Sequence, residues 1–164
     1  YGIEKFAKDI SGTIDAVICV DLPSDVVEEK QLNNALKKEN IALIKLITPT
    51  TSEERIKDIA RSAAGFIYSV NVEGQTGVKS ADVDKVNSQI EKIKKYTKIP
   101  VVSGFGIKNE EDVKVFSNSK ADGIVLGSAI VEKIQKKHNQ TSDKHIVANF
   151  IKDYCKKLIK NLNK

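Results

Sequence analysis

Apolar residues along this chain gather into five short runs, at 14–20, 41–47, 66–72, 99–102 and 123–126. Each is four to seven residues long, rich in Val and Ile, and almost uninterrupted by polar positions. Strands buried on both faces have this appearance, whereas half-exposed antiparallel strands alternate apolar with polar. Between the runs the period changes to that of helices. Residues 25–39 place Val26, Val27, Leu32 and Leu36 on one side, with Ser24 expected as the N-cap. Thr51 with Glu54 has capping-box spacing and opens a second helix carrying Ile56, Ile59 and Ala60. Val83, Val86, Ile90 and Ile93 mark a third. Asn109 is expected to cap a fourth, and Ser128 opens a fifth. The last helix, 144–162, sets Ile146, Phe150, Tyr154, Leu158 and Leu162 at four-residue steps, the stripe of a core-facing helix.

Strand and helix thus alternate five times and end on one extra helix, an order that implies a parallel sheet with right-handed crossovers. No Pro- or Gly-rich linker divides the chain, so residues 1–164 read as a single α/β domain. Two architectures accept five parallel strands: an open doubly wound sheet, or part of an eight-stranded (β/α) barrel. Strand order separates them, because a barrel keeps sequential neighbours paired and a doubly wound sheet reverses at a switch point.

With 164 residues, 40% of them hydrophobic and 30% charged, the chain has the composition of a globular domain rather than a disordered one. No apolar run approaches the roughly 20 residues of a membrane span, so no membrane role is expected. The formal charge of +5 comes from lysines: all but Arg55 and Arg61 of the 27 basic residues are Lys, interleaved with Glu and Asp. Nucleic-acid surfaces concentrate basic residues with arginines and aromatics, so no nucleic-acid partner is expected. Cys19 and Cys155 lie far apart with no metal-ligand spacing, which suits a reducing, cytoplasmic setting; Cys19, inside the first run, reads as buried and inert. The opening Tyr1-Gly2-Ile3 lacks Met and any signal-peptide pattern, which is expected either if the first residues were removed or if the sequence opens partway through a larger protein.

In either architecture, ligands bind at the carboxyl ends of the strands. Three of those ends are glycine-rich: Gly74-Gln75-Thr76-Gly77, Gly104-Phe105-Gly106 and Gly127-Ser128. Gly127-Ser128 is a strand-to-helix turn whose free backbone N–H groups and positive helix end suit a phosphate. Gly104-Phe105-Gly106 adds close-approach amides on the neighbouring strand, and grips built from the last two βα loops are a barrel habit. The stretch 74–77 is long enough to close as a lid. The catalytic inventory is thin. His138 and His145 fall in the polar join before the last helix, Asp21 ends a strand on the right side, and Glu73 reads as a solvated loop carboxylate. Tyr68 is a polar-tipped aromatic within a strand, able to line a pocket while its hydroxyl finds a partner. No pair of carboxylates at strand ends presents itself for acid–base work.

These segments resemble the tryptophan synthase alpha subunit family. The likeness rests on Val20-Asp21-Leu22-Pro23, Thr48-Pro49-Thr50-Thr51, 65–70, Gly74-Gln75-Thr76-Gly77, Gly104-Phe105-Gly106-Ile107 and 127–131, in this order. The resemblance implies a (β/α)₈ TIM barrel, of which this chain would be the last five units plus a C-terminal helix. It further implies cleavage of indole-3-glycerol phosphate to indole and glyceraldehyde 3-phosphate. By that likeness Gly77, Gly106, Gly127 and Ser128 surround the substrate phosphate, Gly74 and Thr76 belong to the lid loop, and Ile18, Tyr68, Phe105 and Val125 line the indole pocket. The family's catalytic glutamate and aspartate belong to the first part of the barrel, so no catalytic residue is expected here and the chain alone should be inactive. No metal and no cofactor is expected in this chain; pyridoxal phosphate belongs to the beta-subunit partner. Two other readings remain at this point: a non-catalytic phosphate-binding module with an open five-stranded sheet, and another barrel lyase or isomerase acting on a sugar phosphate.

Overall fold

The computed structural model of the chain describes residues 1–70, 80–104, 107 and 109–162, the side chains of 80–82 excepted. Its elements are α1 (Ile3–Ile10), β1 (Ala16–Ile18), α2 (Val27–Lys38), β2 (Ala42–Ile47), α3 (Glu53–Ser62), β3 (Ile67–Ser69), α4 (Ser80–Lys94), β4 (Val101–Ser103), α5 (Glu110–Phe116), β5 (Gly123–Ile124), α6 (Ser128–His138) and α7 (Lys144–Lys160). All five strands are parallel and pair in the order β1-β2-β3-β4-β5. No switch point interrupts that order, so the doubly wound arrangement is excluded and the sheet is an arc of the barrel type.

Register gives the two faces of the sheet different jobs. Val17 pairs with Leu43, Ile47 with Ser69, and Ile67 with Val101. These residues and their alternates face the helices. Ile47, Ile67 and Val101 are fully buried among Ile56 and Ile59 of α3, Val86, Ile90 and Ile93 of α4, Val113 and Phe116 of α5, and Tyr154 and Leu158 of α7. A second cluster joins Leu43 to Ala7 of α1 and to Leu32, Ala35 and Leu36 of α2. The opposite face carries Ile18, Ile44, Leu46, Tyr68, Val102 and Gly123 in register.

The ladders are shorter than the apolar runs that foretold them, because β1 has a single neighbour and Ile14 and Val20 stand exposed beyond it. Two caps also differ. Residue Val26 occupies the N-cap of α2 and offers no side-chain bond, so Ser24 does not cap it. Helix α3 is capped by Ser52, whose hydroxyl accepts from the Arg55 amide at 3.4 Å, while Thr51 Oγ1 accepts from the Thr48 amide at 3.1 Å and braces the turn before it. Asn109 does cap α5, accepting from the Asp112 amide at 2.9 Å. The stripe on α7 is only partly covered: Tyr154 and Leu158 are buried, but Ile146 and Phe150 are exposed, with Lys137 lying over the Phe150 ring.

The amino ends of the strands are pinned by charge. Asp122, just before β5, accepts the Val101 amide at 2.7 Å and the Lys94 ammonium at 2.8 Å. Lys94 also donates to the Lys120 carbonyl at 3.1 Å, tying α4 to the loop entering β5. In a barrel this face serves stability, and the opposite face carries function.

Candidate functional site

At the carboxyl ends, side-chain alternation brings Tyr68, Gly104 and Val125 onto the face turned away from the helices. The Val125 amide donates to the Ser103 carbonyl at 2.9 Å, extending the β4–β5 pairing past the last ladder residue. Gly104 then lies so close to Val125 that a Cβ there would stand 2.6 Å from the Val125 carbonyl oxygen and 2.7 Å from its Cβ. Only glycine lets the two exits touch. From the other side the Tyr68 hydroxyl donates to the Gly104 carbonyl at 2.6 Å. Burial raises the Tyr68 pKa, which keeps that hydroxyl a proton donor throughout the neutral range.

Two residues beyond Val125 the chain turns into α6. Its N-cap is Gly127, whose carbonyl receives the Ile130 amide at 3.0 Å and the Val131 amide at 3.2 Å. Among the described residues no side chain caps this end, no acidic residue stands in its first turn, and a Cβ built at Gly127 would meet nothing within 4 Å. Helices α1 and α2 also lack a capping side chain but carry acidic residues in their first turns, Glu4 and Glu28 with Glu29. Helices α3 and α5 carry Glu53 and Glu54, and Glu110, Glu111 and Asp112, in their first turns, and Asp143 caps α7. The positive end of α6 and its first N–H donors are therefore not partnered by any described side chain, a condition that suits an anion.

Of the residues expected at the site, Gly127 and Ser128 stand together at this turn, both exposed. Ile18, Tyr68 and Val125 share the face away from the helices; Ile18 is 48% and Val125 39% exposed, and Tyr68 is half-buried. Gly74, Thr76, Gly77, Phe105 and Gly106 lie outside the described residues, as does Glu73. Asp21 is exposed just past β1. His138 closes α6 and His145 lies in the first turn of α7, far along the chain from any strand end. Cys19 departs from expectation: it follows β1 rather than sitting within it, and is half-buried.

That cysteine lines a cleft of about 320 Å³ between the β1–α2 and β2–α3 connections, which sequence reasoning missed. Its wall holds an ion pair between Lys45 of β2 and Glu29 of α2, with side chains 5% and 6% exposed. Burial lowers the Lys45 pKa. At the mouth Arg55 bonds Asp25 at 3.1 Å, and Thr48 Oγ1 lies 3.0 Å from Thr50 Oγ1 and 3.1 Å from Thr51 Oγ1. A lone lysine inside the 41–47 run was the available signal. Among the described residues no group of His, Cys, Asp or Glu is placed to hold a metal ion, and no helix is long and apolar enough to cross a membrane.

Five sequential parallel strands, helices against one face and a helix N-terminus at the carboxyl rim define an arc of a (β/α) barrel. Comparison with known proteins gives the particular family. A family profile for the tryptophan synthase alpha chain matches residues 1–160. The tryptophan synthase alpha chain of Phenylobacterium zucineum is 39% identical over 144 residues, covering 87% of this chain and 51% of that protein. The Bacillus anthracis alpha chain is 38% identical over 141 residues, covering 85% and 54%. Among solved structures, the Campylobacter jejuni alpha subunit superposes with a TM-score of 0.77 at 34% identity over 94% of this chain and 59% of that one. A chain of a tryptophan synthase complex from Pyrococcus furiosus superposes with a TM-score of 0.76 at 26% identity, covering 97% and 60%. The chain belongs to the tryptophan synthase alpha chain family. It spans about half the length of the curated relatives it matches.

Proposed function

We propose that this chain provides the phosphate grip and part of the indole pocket of an alpha-subunit lyase. The reaction is cleavage of indole-3-glycerol phosphate to indole and glyceraldehyde 3-phosphate, a step of tryptophan biosynthesis. The uncapped, acid-free N-terminus of α6 at Gly127 and Ser128 carries this reading. Amides and a helix dipole aimed at one place hold a phosphate dianion without a cation, and the dianion anchors the substrate for chemistry further along the rim. Gly77 and Gly106 are assigned to the same phosphate, and Gly74 and Thr76 to the loop closing over it. Ile18, Tyr68, Phe105 and Val125 form the apolar wall against the indole ring, where exclusion of water favours a flat aromatic body.

Retro-aldol cleavage needs an acid to protonate the indole ring and a base for the glycerol hydroxyl. We assign neither role to a residue of this chain, so these 164 residues alone bind phosphate without releasing indole. Partnership with a beta subunit that holds pyridoxal phosphate and takes up the indole belongs to the same proposal, as does a cytoplasmic location. Titration calorimetry with glyceraldehyde 3-phosphate tests the grip. Ser128→Pro is the informative variant, because proline is tolerated at the first helical position yet deletes one N–H donor. Binding by the parent chain that weakens at least tenfold in Ser128→Pro supports the assignment. Equal binding by both places the anion elsewhere, and indole released by the chain alone overturns the division of labour.

A further inference from the structure

We propose that Tyr68 is a positioning residue for the anion turn at the start of α6, acting through Gly104 and Val125 rather than by touching the anion. The inference rests on the phosphate reading of Gly127 and Ser128. It starts from the direction of the hydroxyl. Tyr68 stands on β3 opposite Val102 of β4, and its ring reaches diagonally along the sheet to donate at 2.6 Å to the carbonyl of Gly104, two residues further on. A phenylalanine would serve equally well as an apolar wall, so the hydroxyl has a task that wall-making leaves over. Gly104 is in turn held against the Val125 carbonyl and Cβ, with no room between them for a side chain. Val125 is locked to Ser103 by its own amide at 2.9 Å, and two residues later Gly127 begins α6. One hydroxyl on β3 thereby fixes the β4 exit, the β4 exit fixes the β5 exit, and the β5 exit sets where the first amides of α6 point. An anion held by backbone N–H groups is sensitive to their placement, because a few tenths of an ångström and a few degrees decide the strength of such bonds.

Tyr68→Phe removes the hydroxyl and nothing else, and two measurements on the full chain follow it. In the free protein, hydrogen exchange of the Val125 amide reads the β4–β5 contact without any ligand. In titrations with inorganic phosphate, affinity reads the placement of the α6 amides, with unchanged far-ultraviolet circular dichroism as the control for folding. Loss of one hydrogen bond from such a chain of contacts is expected to accelerate Val125 exchange and to weaken phosphate binding roughly fivefold. Tyr68→Phe that exchanges and binds like the parent overturns the positioning role and leaves the phosphate reading standing. Faster exchange with unchanged affinity also overturns it, since the contact then matters only to the sheet. A parent chain that binds no phosphate removes the phosphate reading itself, and the proposal with it.

Discussion

Gly104 faces Val125 with no room for a side chain between them: a methyl group on the first would overlap the carbonyl oxygen of the second at 2.6 Å. The carbonyl belongs to the chain running into α6 and cannot swing aside as a side chain could. Gly104→Ala is therefore expected to push β4 and β5 apart and to cost about 1–3 kcal/mol, the usual range for overpacking. Urea denaturation followed by circular dichroism measures it. A midpoint equal to the parent's would mean that the exits separate freely.

Lys45 and Glu29 give a test of opposite signs. Both are almost wholly buried, and Lys45 is the one charged residue of β2. Glu29→Ala strands an ammonium in the interior and is expected to cost about 3–5 kcal/mol. Lys45→Met combined with Glu29→Leu removes the desolvation penalty of both charges and is expected to equal the parent or exceed it, by up to about 4 kcal/mol. Thermal melts of the three proteins decide it, and a double variant as unstable as the single one would show that the pair stabilises in its own right.

The Asp122 carboxyl titrates below its usual value. Burial opposes its ionisation but is outweighed by the Lys94 ammonium and the Val101 amide. An aspartate whose pKa is depressed by folding adds stability above its unfolded pKa of about 4, and that stability is lost as pH falls through the folded value. Asp122→Asn should flatten the acid limb of the stability curve below about pH 4 while leaving its shape near neutrality unchanged. Urea midpoints collected from pH 2 to 7 check this, and parallel acid limbs for both proteins would exclude the linkage.

At the start of α7, Asp143 accepts from the His145 amide at 2.8 Å and the Ile146 amide at 3.4 Å. Asp143→Ala removes the cap and a favourably placed negative charge, and is expected to cost about 0.5–2 kcal/mol. Asp143→Asn keeps the acceptor and should recover most of the loss; failure to recover it would assign the effect to charge alone.

From β1 onward, element type and order were readable from period alone, because five apolar runs separated by 3.6-periodic stretches admit little else. Strand ends were not. The residues flanking the 14–20 and 123–126 runs are apolar like the ladder residues, and only the presence of a partner strand decides where pairing stops. Caps were readable where one candidate stood alone, as with Asn109, and misread where hydroxyls competed, as with Thr51 and Ser52. At the site, the turn at Gly127 and Ser128 followed from local chemistry. The tie from Tyr68 to Gly104 spans 36 positions in the chain, and no local pattern encodes it. Helix α1 was not read from periodicity, because about two turns of amphipathic chain before the first strand break no rule when left unassigned.

On the helix side of β2, Leu43 joins the cluster of α1 and α2, Ile47 joins the cluster of α3, α4, α5 and α7, and Lys45 stands between them. A charged partition inside an interior interrupts the apolar contact through which unfolding becomes all-or-none. The buried side chains accordingly fall into two clusters that meet at one strand. Native-state hydrogen exchange is expected to release the amides of α1 and α2 ahead of those of α3, α4 and α5, and one common opening energy for all of them would show that Lys45 does not divide the interior.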